Sequence, residues 1–460
     1  MKSNLVSGLL GTVLKPIASM FRVKLAYAQA GVSLLICLWM AIPDIQVDDA
    51  ELLTLAAGTR VDSAGSLPEG SEHSESFALI REAGEIAEFD YDTLTEEQQA
   101  AMDYVDSPDT YDAVDTTPFR KLVDERAAVV DLVDRAMAQE IYDFPALEFI
   151  DSDFSHVFTH RHVTTLLRYR AFFHRMDGDL EAELEAVERL AKFAQMVTLN
   201  SKSVVGFMVG RAMLAIALHE VLLTLHESEP GIEELERLEL VRDLLRIPVP
   251  VVCCAIGNEY RTLANSIEAL AKGKGLASGE DIWRDALRRV PNPLRKPVRN
   301  ALFKSSRTKR LIAKEFQRLI ETIDKAYVEG SSYSLEYDHL SEIAAGNAVG
   351  LILANLLLPA FEDALFKLRC QYKGQLAGLD VALACARHHL DTGSYPSALS
   401  ALVPKYLDSV PLDPFDGQEM RFDADRGVVY VAGEDLVDNG GEEDERNVVR
   451  VFPADSKEAK

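Results

Sequence analysis

The chain is 460 residues long, 48% hydrophobic, and carries 74 acidic against 48 basic side chains, a formal net charge of −26. That length gives room for two or three domains with ample core, and the charge excludes a general nucleic-acid binder, because phosphate contacts need clustered lysines and arginines. Five cysteines, at 37, 253, 254, 370 and 385, do not make a disulfide framework, and Cys253-Cys254 in VPVVCCAI read as small buried residues.

Residues 1–24 contain Lys2, Lys15, Arg22 and Lys24 and no acid. Residues 25–43, LAYAQAGVSLLICLWMAIP, carry no charge. A helix of about 17–25 apolar residues crosses a bilayer, so this stretch is expected to be a transmembrane helix. Residues 44–119 then hold twenty acidic side chains against two basic ones, Arg60 and Arg81. The positive-inside bias places the N-terminus in the cytoplasm and the main domain outside, as in a single-pass protein of a bacterial inner membrane. A cleaved signal peptide would need a small-x-small site after its apolar core, and MAIPDIQV supplies a poor one. The segment from Gly31 to Leu35 resembles the start of a pilin-type helix after prepilin processing, with Ile36 where that family has a glutamate.

Residues 44–117 are rich in acids, with Ser, Gly and Pro around VDSAGSLPEGSEHSES, and read as an extracytoplasmic linker. Short helices fit FALIREAGEIAEF and TEEQQAAMDYV within it. Helical periodicity dominates residues 118–342. The stretch VTTLLRYRAFFHRMDGDLEAELEAVERLAKFAQMV reads as two helices joined at Asp177-Gly178-Asp179, where Gly178 ends the first and Asp179 caps the second. This hairpin resembles one tetratricopeptide unit, without a sustained 34-residue period. Residues 203–228 are apolar enough for a buried helix, and IEELERLELVRDLLRI follows on an amphipathic pattern. The basic stretch 284–318 reads as a solvated face, with anionic lipid or an acidic partner as the alternative.

Residues 343–360, IAAGNAVGLILANLLLPA, read as a core helix kinked or ended by Pro359. A second span would have to satisfy Asn347 and Asn355 in lipid, which is costly. The helical pattern continues to a natural stop at Gly393, with His388 and His389 placed to meet end carbonyls. MRFD and VVYVAG then read as a hairpin turned through residues 424–427, and NVVRVF as a third strand. The fold class expected is mainly α, with a helical domain at 118–342 and a small α+β module within 343–460.

Gly393-Ser394-Tyr395-Pro396, Leu399, Leu402, Tyr406-Leu407 and the run from Pro411 to Gly417, PLDPFDG, resemble the C-terminal region of type II secretion major pseudopilins. The same order occurs in large, poorly characterised bacterial envelope proteins that pair a helical region with this module. The resemblance covers residues 345–452, under a quarter of the chain. It implies a calcium loop at 433–444, with Asp435 and Asp438 as ligands and Asp444 next; Leu436 stands where the family has a glycine. Calcium takes six to eight oxygens, which carboxylates and curled backbone supply. Some 300 residues separate this module from the N-terminal helix, so assembly into a pilus does not follow.

A second metal candidate is His156 with His160, one helical turn apart as in i, i+4 zinc pairs. It lacks the H-E-x-x-H arrangement with its general base, and the chain shows no G-x-S-x-G, P-loop or Rossmann fingerprint. The expectation is a non-enzymatic membrane-anchored scaffold or accessory of the cell envelope, holding an unknown protein partner. The alternative is a membrane-anchored, metal-dependent hydrolase using His156 and His160.

Overall fold

A computed structural model of the chain describes residues 74–108, 114–139, 142, 155–272, 287–323, 325–327, 342–343, 345–441 and 447–452. The expected transmembrane helix at 25–43 and the first part of the acidic linker lie outside these residues, as does Asp444. The first described element is α1 (Glu75–Ala87), capped by Ser74, whose side chain accepts from the Phe77 amide. It is followed by α2 (Glu96–Asp106), opened by a capping box between Thr95 and Gln98.

The short helices expected in the linker therefore form, but α1 is core and not spacer. Phe77, Ile80 and Ala83 are buried against α4 (Ala128–Met137) and α5 (Ser155–Met176). Glu75, Glu82 and Glu85 all fall on the exposed face of α1. A charge count marks this stretch as linker because it ignores which side of the helix the charges occupy. Between α2 and α4 lies α3 (Thr117–Asp124), which buries Phe119 and Val123.

Helix α5 and α6 (Leu180–Leu199) form the hairpin read from the sequence. Gly178 turns the chain at φ +69°, a left-handed conformation that glycine adopts at no steric cost. Asp179 then accepts from the Ala182 amide. Three helices meet at a buried ion cluster: Arg175 of α5 reaches Glu183 of α6 and Glu220 of α7 (Val204–Glu227), each at 2.7 Å. Thr224 and Ser228 hydroxyls donate to the two oxygens of Glu183, completing its hydrogen bonding. Among the described residues, α7 is the one helix long and apolar enough to cross a membrane, and over half of that window is buried inside the protein. It crosses α6 at Gly210, where a Cβ would stand 2.7 Å from the Thr198 Cα.

Beyond α8 (Ile232–Leu244) come α9 (Val249–Ala271), α10 (Asn292–Leu302) and α11 (Ser305–Thr322). The last helix, α12 (Ala348–Thr392), runs 45 residues. At about 1.5 Å per residue it spans roughly 67 Å. It begins at a fully buried Asn347, whose Oδ1 accepts from the Lys304 amide and the Thr308 hydroxyl while its Nδ2 donates to Glu342. The helix passes through Pro359 instead of stopping there.

Two hydrophobic cores result. One joins α1–α8 to the second half of α12 and the sheet; the other joins α9–α11 to the first half of α12. Both α7 and α12 serve both cores. On α7 the change falls between Phe207 and Met213, and on α12 between Leu365 and Phe366. Burial on both sides of Pro359, by Leu353, Leu358 and Leu365, outweighs the few kcal/mol that an interior proline costs a helix.

After Gly393 (φ +73°) closes α12, the chain makes the expected antiparallel sheet: β1 (Arg421–Asp423), β2 (Val428–Tyr430) and β3 (Val448–Arg450), in that order. Phe422 pairs with Val429, and Val429 with Val449. The sheet rests on α12 along Gly374 and Gly378; a Cβ on Gly378 would sit 2.6 Å from Val449. Only a hydrogen there lets strand and helix approach so closely.

Candidate functional site

The loops around the sheet converge on one cation. The turn carrying PLDPFDG folds so that Asp413 is buried, accepting from the Phe415 and Ala432 amides, each at 2.7 Å. Arg421, at the start of β1, sends Nη1 to the same carboxylate at 2.6 Å and Nη2 to Asp416. Its Nε faces Asp438 of the expected calcium loop at 3.3 Å. One guanidinium thus gathers three carboxylates from two loops. Burial raises the Asp413 pKa, against the amides and Arg421, which lower it. The Gly440 amide is the largest cause of a lowered pKa at Asp438, with Tyr430 and Arg421 adding to it.

Asp435 and Asp438 lie in this loop, and each already has a carboxylate oxygen engaged by a backbone amide. Asp435 Oδ1 accepts from the Val437 amide, and Asp438 Oδ1 from that of Gly440. Among the described residues no group of three or more His, Cys, Asp or Glu side chains is arranged to hold a metal. With Arg421 beside Asp438, a dication at this carboxylate would have to displace a guanidinium. Leu436, between the two aspartates' turns, has φ +58°. The position therefore demands the left-handed conformation that a glycine would meet easily, and leucine holds it through partial burial against the core.

His156 and His160 do not make a metal pair. His160 is fully buried, with Nδ1 2.7 Å from the His156 carbonyl and Nε2 2.6 Å from the Tyr142 hydroxyl. The carbonyl can only accept, so Nδ1 carries the proton and Tyr142 donates to Nε2. Burial pushes the His160 pKa down to about 3. A ligand nitrogen needs a free lone pair, and neither is left.

His388 and His389 serve the join between helix and sheet. His388 Nδ1 lies 2.8 Å from the Ser394 carbonyl beyond the helix end. His389 stacks on Tyr395 at 4.3 Å, and Tyr395 in turn on Phe452 at 4.5 Å. Cys253 is buried and Cys254 half-buried, and neither is in a disulfide. The residue that sequence reasoning passed over is Arg421. Its one local signal is a lone arginine between two acid-rich loops.

Comparison with protein-family models, with curated proteins and with solved structures finds no match to this chain.

Proposed function

We propose that this chain is a membrane-anchored, extracytoplasmic scaffold or accessory protein of the bacterial cell envelope, non-enzymatic and linked to secretion or pilus-like machinery. The observation that carries this reading is α12. It bears the small sheet in the helix–turn–sheet order of the pseudopilin C-terminal region, while packing on α7, α8 and α11. A module built into a helical bundle in this way suits the holding of a partner in fixed orientation. It suits polymer assembly less, because the bundle already takes up much of the helix. The rival hydrolase is disfavoured by the two occupied nitrogens of His160.

The test is made on the full chain in its own membrane. Protease added outside the inner membrane should remove the C-terminal module, and a photo-crosslinker at Leu240, exposed on α8, should trap one recurring envelope protein. A protected C-terminus overturns the topology, and crosslinks confined to the chain itself overturn the scaffold role.

Calcium at Asp435 and Asp438, with Asp444, enters this proposal as a competitor of Arg421. A ligand that binds only the folded state raises the melting midpoint by mass action. Calcium should then raise Tm relative to chelator, and Asp435→Ala with Asp438→Ala should abolish the rise. Coincident curves remove calcium from the reading.

A further inference from the structure

Where α7 and α12 pass from one core to the other, they leave a cleft of about 530 Å³ against the PLDPFDG turn. That volume is in the range of small-molecule sites, roughly 300–1,000 Å³. Five basic side chains line it, among them Arg211, Lys325, Arg369 and Lys373, in a protein whose net charge is −26. Its two lining carboxylates are committed elsewhere. Asp380 is held by Arg242 at 2.5 Å and by Arg246 at 3.2 Å, and Asp413 by Arg421. Phe207 and Leu376 contribute to an apolar wall.

Arg211 is the decisive group. It stands in the otherwise uncharged first half of α7, and its Nη1 donates to the Leu368 carbonyl of α12 at 2.6 Å. Its Nε is buried without a hydrogen-bond partner, and no carboxylate pairs with Arg211 among the described residues. Burial lowers its pKa. A guanidinium taken out of water without a counter-charge is costly, and 74 acidic side chains were available to pair with it. Helix–helix packing alone does not need a charge at this position.

We infer that this cleft binds a small amphiphilic anion, with a carboxylate or phosphate group set against Arg211 and Lys325 and an apolar portion along Phe207 and Leu376. The ligand supplies the counter-charge that no described carboxylate gives. The inference does not rest on the scaffold reading.

The experiment is calorimetric titration of the full-length protein in a non-ionic detergent with inorganic phosphate, hexyl phosphate and hexanoate. It is repeated on Arg211→Met and on Lys325→Gln, a change at an exposed position that leaves the core intact. Hexyl phosphate or hexanoate should bind at least tenfold tighter than inorganic phosphate, and at least tenfold weaker in each variant. Without ligand, Arg211→Met should melt no lower than the parent, since it removes a half-buried charge that no described carboxylate pairs. Equal affinity for phosphate and hexyl phosphate overturns the apolar half of the site. No binding of any probe, binding unchanged in the variants, or a lowered Tm of unliganded Arg211→Met overturns the inference.

Discussion

Arg421 Nη1 donates to Asp413 Oδ2 at 2.6 Å, and the second oxygen of that pair's reach, the Asp413 Oδ1, is filled by the Phe415 amide. A buried carboxylate so placed is tolerable only while its counter-charge stays. Arg421→Ala should therefore destabilise the protein by about 3–5 kcal/mol, the usual cost of stranding one member of a buried pair. Urea unfolding monitored on the C-terminal module would measure it. Adding Asp413→Asn should recover part of the loss, and a simple sum of the two single effects would refute the coupling.

The same position bears on calcium. With Arg421→Gln, Asp438 loses its cation, so any calcium-dependent rise in Tm should grow relative to the parent. A smaller rise in the variant would show that Arg421 does not compete with the ion.

His160 sets an acid limit. Its pKa is near 6.5 in the unfolded chain and about 3 in the fold. A depressed pKa contributes stability that is full above pH 6.5 and is lost as pH falls toward 3. The loss attributable to this residue is ~2 kcal/mol at pH 5. His226, lowered to about 4 chiefly by burial, adds in the same direction. His160→Gln should flatten the stability profile between pH 6.5 and 4 compared with the parent, and an unchanged slope would contradict the assignment.

Arg175 neutralises two buried glutamates at once. Arg175→Met should cost about 3–5 kcal/mol, and Glu183→Gln in that background should restore a measurable part by removing one stranded charge. Thermal unfolding of the four proteins in the cycle decides it.

Gly378 governs how the sheet seats. Gly378→Val should cost about 1–3 kcal/mol through overpacking against Val449. Val449→Ala should relieve it, and equal destabilisation in both backgrounds would mean that the contact is not the cause.

What was legible in the sequence was local. The Asp177-Gly178-Asp179 turn, the stop at Gly393 and the hairpin around Gly427 each follow from a few neighbouring residues, and each is found. The helical stretches at α1 and α2 were equally local, yet the docking of α1 was not, because burial of Phe77 and Ile80 depends on α4 and α5. Proline at 359 suggested a kink or an end, and packing of one core on both sides of it carries the helix through. The site was legible only in part. Asp435 and Asp438 were named, but their partner Arg421 was missed, because its three carboxylates meet only once the loops fold over the sheet. The histidine spacing at 156 and 160 was real, but Tyr142, far enough away to escape a pattern, claims the second nitrogen of His160.

The place of α12 after the helices it covers also sets an order of events during synthesis. A polypeptide leaving the ribosome, or threading outward through a membrane, presents α7, α9 and α11 long before residues 348–392 arrive. The faces that Leu353, Leu358 and Leu379 will cover stay bare throughout that interval. The core around α9–α11 cannot close before residues 349–365 have emerged, and the other not before residues 366–452 have, so a chain caught short of them is one that holdase chaperones must shield and quality-control proteases can recognise.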